Sequence, residues 1–265
     1  YYYTLLFGDK YRVKIATRNV NIPGIQNFRD LGGYPSYSTK KQVRWGMIYR
    51  SAEIDSLECY SRRELRNLGI KTLIDLRTSS ETGRQSPLQK EFNVVHIPLA
   101  TGDMENILKG IREEKIKSDA VYRMVEQMNR DLIDKYTTEY RQIFDILLDK
   151  NSYPVVIHCS SGKGRTGIVS ALVLAALGIN EDIIMEDYRL SNDYFNIPSA
   201  SKDAYQLPAR SQEAITTLFS AREDFLNAAK EEAECRYGDI DTYLQKGIGL
   251  NKNEIKRLRS ILLSD

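Results

Sequence analysis

Three cysteines and two histidines in 265 residues leave little material for metal or disulfide chemistry. Cys59, Cys159 and Cys235 are too few for a disulfide scaffold and lack the paired spacing of metal ligands. His96 and His158 do not complete a multi-histidine zinc site with them. Cys59 and Cys235 are read as two separate thiols rather than a bridge. Charge of one sign is also missing: 38 Lys and Arg stand against 36 Asp and Glu, a formal net charge of +2. Such a balance supplies no overall field for nucleic acid or an anionic membrane, so any positive site is local. No apolar run approaches the ~20 residues of a membrane span. Internal repeats, low-complexity tracts and Pro-, Gly- or Ser-rich linkers are absent too. The sequence opens Tyr1-Tyr2-Tyr3, with neither methionine nor a cleavable signal, and reads as a piece of a longer precursor.

What is present is an ordinary globular composition, 42% hydrophobic and 28% charged, at a length that buries a sizeable core. Residues 1–20 alternate loosely and predict a strand-like extension, the remnant of a preceding domain; residues 21–265 form the main domain. Val43, Trp45, Met47 and Tyr49 alternate with Arg44, Gly46, Ile48 and Arg50 and predict one strand over 43–50. Short apolar runs at 70–76, 92–97 and 153–158 have strand length. Residues 61–68 predict a helix capped by Ser61, with Glu64 at the capping-box position. Residues 119–149 carry one apolar helical face that includes Leu132, Tyr136, Tyr140, Ile143, Phe144 and Leu147. Three further helices are predicted over 211–236, 239–246 and 252–263. Strands alternating with helices imply an α/β fold, a mostly parallel central sheet flanked by helices on both faces.

The most informative stretch is Val155-Val156-Ile157-His158-Cys159-Ser160-Ser161-Gly162-Lys163-Gly164-Arg165-Thr166-Gly167. A buried strand runs into a loop, and a helix that is apolar nearly all round follows over 166–177, ended by Gly178. Successive backbone N–H groups of a tight loop at a helix N-terminus converge on an anion. They also favour the thiolate of Cys159, whose pKa is expected below the free value of ~8.5. Arg165 can curl back to hold two oxygens of a phosphate. A thiolate beneath a phosphate so held is arranged for in-line attack on phosphorus. Two rival motifs fail. Gly162-Lys163-Gly164-Arg165-Thr166-Gly167 matches the dinucleotide-binding pattern G-x-G-x-x-G, but Asp182, at the offset of its ribose-binding acid, falls in a predicted helix instead of a second strand. The ATP-binding loop fails because Ile157 stands where it needs glycine and Gly164 follows Lys163.

His158-Cys159-x5-Arg165-Thr166-Gly167 resembles the active-site loop of cysteine-dependent tyrosine and dual-specificity phosphatases. Asn27-Phe28-Arg29-Asp30-Leu31-Gly32-Gly33-Tyr34, Tyr49-Arg50-Ser51-Ala52, Asp75-Leu76-Arg77-Thr78 and Arg236-Tyr237-Gly238-Asp239 with Tyr243-Leu244 extend the resemblance over roughly residues 22–263. They resemble the bacterial and fungal tyrosine phosphatase family, which includes secreted dual protein and phosphoinositide phosphatases. The resemblance implies that fold, a helical lid and helical C-terminal cap, and no metal or cofactor. Cys159 would be the nucleophile and Arg165 the phosphoryl-binding group. Ser160, Ser161, Gly162, Lys163 and Gly164 would line the phosphate, and Thr166 would steady the thiolate. His158 would support the loop from behind.

The family loop usually reads Lys-Asp-Arg, its aspartate protonating the leaving group in some members; here that position is Gly164. Asp103, after the strand at 92–97, is the first replacement acid, though it equally suits the cap of a helix from Met104. Asp75 is the second and Glu105 the third. Lys109, Arg112, Lys115, Lys117 and Arg123 place bases on the lid segment 104–150, diluted by Glu113, Glu114, Asp119 and Glu126. The expected partners are a phosphorylated protein, phosphotyrosine first, or a phosphoinositide, with phosphate, sulfate or vanadate as loop anions and no nucleic acid. A sulfurtransferase and an inactive phosphate-binding module are the alternatives from other classes. The resemblance and the trimmed start favour an exported bacterial protein, with the cytoplasm as the alternative.

Overall fold

A computed structural model describes residues 2–8, 11–55, 57–82, 87–201 and 203–264. The chain starts with an antiparallel hairpin, β1 (Tyr2–Phe7) and β2 (Tyr11–Ala16); residues 1, 9 and 10 of the expected extension lie outside the described residues. Short strands β3 (Arg29–Asp30), β4 (Pro35–Ser36), β5 (Lys41–Val43) and β6 (Ile48–Ser51) lead to α1 (Cys59–Asn67), β7 (Thr72–Asp75), α2 (Ser79–Thr82) and β8 (Asn93–His96). Three helices follow, α3 (Met104–Arg112), α4 (Ser118–Lys135) and α5 (Thr137–Leu148), before β9 (Val155–His158). The remainder is helical: α6 (Gly164–Ala176), α7 (Glu181–Arg189), α8 (Ser191–Tyr194), α9 (Ile197–Ala200), α10 (Ala209–Phe219), α11 (Glu223–Tyr237), α12 (Ile240–Thr242) and α13 (Lys252–Leu262), closed by β10 (Leu263–Ser264).

The central sheet has the order β3-β6-β9-β7-β8 and is parallel except for the edge strand β3. Its core strands are buried along their whole length because both faces are covered. Alternate side chains divide between the faces as the pleat requires. Tyr49, Leu73 and Val156 pack with Phe28, Ile54 and Leu65 of α1. Ile48, Ile74, Val155 and Ile157 pack with α4, α5, α6 and α13 through residues such as Leu132, Phe144, Val169 and Leu258. β9 sits between β6 and β7, so the strand order switches sides at β9. The crevice beyond the carboxyl end of such a strand is where an open α/β sheet takes its ligand.

Several local expectations are corrected by tertiary partners. The strand over 43–50 is two strands in different sheets. β5 pairs with β4 and β10, whereas β6 joins the central sheet, and Gly46 turns the chain between them at φ 77°. Asp30 fixes that turn by accepting from the N–H groups of Gly32 and Gly46, both at 2.7 Å. The first helix starts two residues earlier than read, at Cys59; Ser61 is not its cap but donates to the Pro23 carbonyl at 2.6 Å. The apolar face over 119–149 is buried as expected, yet it is carried by two helices that meet at Tyr136. The helix over 211–236 is likewise interrupted, at residues 220–222, and 239–246 divides between α12 and one π-helical turn, Tyr243–Gly247.

A charged network lies behind the end of β9. Asp187 of α7 pairs with Arg50 at 2.7 Å and with Arg29 at 3.4 Å, and accepts from the Tyr34 hydroxyl at 2.9 Å. Burial alone would push this carboxyl up; the two guanidinium groups and the hydroxyl outweigh it and hold it at about 2. His158 is also buried, and burial keeps it neutral down to about 4.

Two stability outcomes follow from these contacts. A Cβ on Gly33 would lie 2.1 Å from the Trp45 ring, at φ +80°, whereas one on Gly238, at φ +92°, would meet nothing within 4 Å. Gly33→Ala is expected to lower unfolding free energy by about 1–3 kcal/mol more than Gly238→Ala in urea melts. On acidification, stability falls through two windows. The unfolded chain protonates His158 near pH ~6.5, while the folded protein resists to about 4, so stability drops as pH falls across that range. The stabilisation from Asp187 is present above its unfolded value of ~3.9 and is lost as pH falls through about 2. His158→Asn removes the upper window alone, read from urea midpoints at pH 7, 5 and 3.

Candidate active site

The chain leaves β9 at His158, turns through residues 159–163 and enters α6 at Gly164. Three successive carbonyls of this loop, those of Ser160, Ser161 and Gly162, are held from outside. The Glu53 N–H donates to the Ser160 carbonyl at 3.2 Å. Asn27 Nδ2 donates to the carbonyls of Ser161 at 3.1 Å and Gly162 at 3.0 Å, and Arg50 donates to Gly162 at 2.8 Å. In a trans peptide the N–H points opposite to the C=O, so the amides of residues 161–163 face inward, toward one point above Cys159. The Gly162 N–H is 3.3 Å from the sulfur. Gly162 is required there: its φ is +67° and a Cβ would lie 2.4 Å from the Ser51 carbonyl oxygen.

Cys159 is buried, which pushes its thiol up, but Arg165, the Thr166 hydroxyl and the backbone N–H groups of Thr166 and Gly162 outweigh this and hold it below an ordinary thiol. The Thr166 hydroxyl has no other hydrogen-bond partner, which leaves it to the sulfur. Arg165 curls back over the loop, and its two terminal nitrogens meet the Glu81 carboxylate of α2 at 2.7 and 2.6 Å. Glu81 also accepts from the Ser160 hydroxyl at 2.7 Å. Burial would raise the Glu81 carboxyl, yet the Arg165 fork holds it at about 2. Nη1 also donates to the Leu76 and Leu99 carbonyls at 3.4 and 3.3 Å and Nη2 to the Ser160 hydroxyl at 3.3 Å, so Glu81 and these oxygens together fix the guanidinium plane.

Lys163 is 4% exposed and its Nζ has no hydrogen-bond acceptor. The ammonium lies 4.5 Å from the Phe195 ring centroid and 4.9 Å from that of Phe219. Burial lowers it to about 7, against the raising effect of the Cys159 thiolate. With Ser161, Gly164 and Arg165 it lines a cavity of about 90 Å³ over Cys159, walled by α4 and α10. A larger cavity of about 430 Å³ lies between α6, α7 and α11, is lined mainly by aliphatic side chains and contains neither Cys159 nor Arg165. Gly164 leaves open space: a Cβ there would meet nothing within 4 Å.

None of Asp103, Asp75 and Glu105 itself lines this cavity, although Thr101 and Met104, on either side of Asp103, do. Asp103 caps α3, accepting from the Asn106 N–H at 3.0 Å and from its side-chain amide at 2.5 Å. Asp75 is clasped by Arg77, at 3.0 and 2.8 Å, and although burial raises it the pairing holds it below the usual carboxylate range. Arg77 in turn grips Asp55 with both terminal nitrogens. Glu105 stands in the exposed first turn of α3. His158 lies behind the loop, 4.0 Å from Asp75 and neutral. Of the lid bases, Arg112, Lys115 and Arg123 are spent on Asp203, Glu113 and Asp119. Cys59 and Cys235 are exposed, separate thiols. Among the described residues, no cluster of three or more His, Cys, Asp or Glu is placed to hold a metal ion.

Glu81 and Asp187 escaped the sequence reading. Neither adjoins the loop in sequence, and nothing local marks either acid out from 34 others. Asn27, Arg29 and Arg50 stood in the quoted motifs without a role; their role is to aim the loop.

A profile described as the tyrosine phosphatase family matches residues 20–264. The triple specificity protein phosphatase PtpB of Mycobacterium tuberculosis is 30% identical over 91% of this chain and 98% of its own. A tyrosine-protein phosphatase of Nostoc commune is 25% identical over 79% of this chain and 72% of its own. Among solved structures, TpbA of P. aeruginosa covers 67% of this chain and 89% of its own at 15% identity, with a TM-score of 0.31. The matched span contains the loop, the residues that hold its carbonyls and the helices that cover it, and on that match the chain belongs to the tyrosine phosphatase family.

Proposed function

We propose that this phosphatase cleaves phosphate monoesters through a cysteinyl-phosphate formed on Cys159, with phosphotyrosine in protein as its leading substrate class. The observation that carries the reading is the set of outward-held carbonyls, which turns the loop amides onto the point above a depressed thiol. The Cys159 thiolate attacks phosphorus in line. The amides of residues 161–163 and the Arg165 guanidinium take the non-bridging oxygens, whose charge is spread through a loose transition state. The Thr166 hydroxyl then stabilises the sulfur as the thiophosphate is hydrolysed. A phenol leaves more easily than an alkyl alcohol, so a loop without an aspartate suits phosphotyrosine better than phosphoserine. The relative named a triple specificity protein phosphatase supports a protein substrate.

A second reading, a phosphoinositide substrate, is favoured by Lys163, a further buried cation in the same cavity. Phosphate release from phosphotyrosine peptide, phosphoserine peptide and mixed phosphoinositide vesicles separates the two. Phosphotyrosine is expected to be turned over fastest, and Cys159→Ser to reduce release to background on every substrate. Thiosulfate-to-cyanide transfer would instead mark a sulfurtransferase, and vanadate binding without turnover a binding module.

The other outcomes concern the thiol and Asp103. Iodoacetate is expected to alkylate Cys159 well below the ~8.5 of a free thiol, and vanadate to protect it, as read by mass of the modified peptide. Asp103→Asn is expected to leave kcat on phosphotyrosine peptide within about twofold. It should cost up to ~1 kcal/mol of stability as a weakened cap. A drop in kcat of ~10²–10⁴ would restore Asp103 as the acid.

A further inference from the structure

The cysteinyl-phosphate route has to deliver a proton to the oxygen that leaves opposite the sulfur, since a tyrosine phenol has a pKa of ~10. Among the described residues no carboxylate lines the cavity over Cys159; its titratable side chains are Cys159, Lys163, Arg165 and Tyr188. Cys159 is the nucleophile. Arg165 does not give up a proton, and its fork is fixed by Glu81. The Tyr188 hydroxyl is raised by burial, and its ring is a wall packed where a Cβ on Gly167 would come within 2.7 Å. We infer that Lys163 is the proton donor to the leaving group, a reading that rests on the cysteinyl-phosphate mechanism above.

The geometry of Lys163 is that of a donor lacking its acceptor. A buried ammonium without a hydrogen bond is costly, and the faces of Phe195 and Phe219 offset only part of that cost. A departing phenoxide supplies the missing acceptor and the missing negative charge together. The groups that face the amine from each surrounding element are few. The loop brings the Cys159 thiolate and α6 brings Arg165; α4 offers Met128 and Asn129, and α10 and the segment after α8 offer phenyl rings. Only the thiolate and Arg165 carry charge. Burial lowers Lys163 to about 7, so near neutrality a substantial fraction of the amine carries its proton and is acidic enough to donate it.

The steps balance. As the S–P bond forms and the P–O bond breaks, one Nζ proton passes to the ester oxygen, the alcohol or phenol departs, and a neutral amine remains. In the second step that amine takes a proton from the attacking water, the P–S bond breaks, and the thiolate, the ammonium and inorganic phosphate are regenerated.

The test uses the full chain and two aryl phosphates. 2,4-Dinitrophenyl phosphate has a leaving group that needs no proton, whereas phenyl phosphate has one that does. Lys163→Met is expected to lower kcat/KM for phenyl phosphate at least ~10²-fold more than for the dinitrophenyl ester. Lys163→Arg keeps the cation but holds its proton, and is expected to give the same disparity. The native fall of kcat/KM above pH ~7 on phenyl phosphate is expected to vanish in both variants. Because a Cβ at 164 meets open space, Lys163→Met combined with Gly164→Asp is expected to recover phenyl phosphate turnover selectively, which separates loss of an acid from loss of the fold. Equal losses on both esters, or full restoration by Lys163→Arg, would make Lys163 a charge only and overturn the inference while leaving the phosphatase intact. If native release were independent of Cys159, the mechanism itself would fall and Lys163 with it.

Discussion

A trans peptide cannot turn its carbonyl and its N–H to the same side, and the site depends on this constraint. Holding three successive loop carbonyls outward is what turns the following amides inward. The holders come from the first fifth of the chain: Asn27, the backbone of Glu53, and Arg50. They would scatter without Asp187, which pins Arg50 directly and pins Arg29, itself hydrogen-bonded to Asn27. Two guanidinium groups and a carboxylate buried together give little net stability, since desolvation consumes most of their attraction. Their return is direction: on the proposed mechanism, a cup of inward amides that is set before substrate arrives and needs no reorganisation during reaction.

The same cup explains how a chain with a formal net charge of +2 concentrates positive potential locally. Burial opposes both the thiolate of Cys159 and the ammonium of Lys163, yet the two respond differently. The thiolate is rescued by Arg165, Thr166 and the loop amides and ends below an ordinary thiol. The ammonium has only aromatic faces and the thiolate's field, and it ends near 7. Glu81 keeps Arg165 from being a loose charge. Its carboxylate occupies one edge of the fork and the Ser160 hydroxyl, so the guanidinium plane is fixed at the mouth of the loop.

The parts legible in the sequence are those whose determinants are contiguous. The buried strand, the glycine-punctuated loop and the all-round apolar helix of residues 155–177 are determined within one stretch, so Cys159 and Arg165 could be placed by reading it. The parallel sheet was legible for the same reason, as each core strand is a short apolar run. Legibility fails where a distant partner decides. The alternation over 43–50 is real, but β5 is claimed by β10 from the far end of the chain and β6 by β9. Ser61 has a cap's chemistry and spends its hydroxyl on Pro23. Glu81 and Asp187 are ordinary acids until the fold sets them against arginines. Asp103 was ambiguous because its helix lies directly after it, and the local demand of α3 for a cap is met by the same carboxylate that a reaction would need free.

Gly164 and the lid belong to one problem. An aspartate at 164 would fit, since the position opens onto space, so the glycine is not imposed by packing. Its effect is to leave a cavity without a carboxylate. A carboxylate there would pair with Lys163 and hold its proton tightly, as Arg165 and Glu81 hold each other. Without one, the ammonium is left against Phe195 and Phe219, and Phe219 ends α10, which packs on α3 and α4 through Ile111, Val121, Ala214 and Ile215. The layer that closes the site therefore also dries the amine. On the proposed role, the acidity of Lys163 is a property of the closed lid: hydration returns an ammonium toward its ordinary value, and only a dry one gives up its proton near neutrality. Acid strength and substrate enclosure are then set by the same packing of α10 against α4.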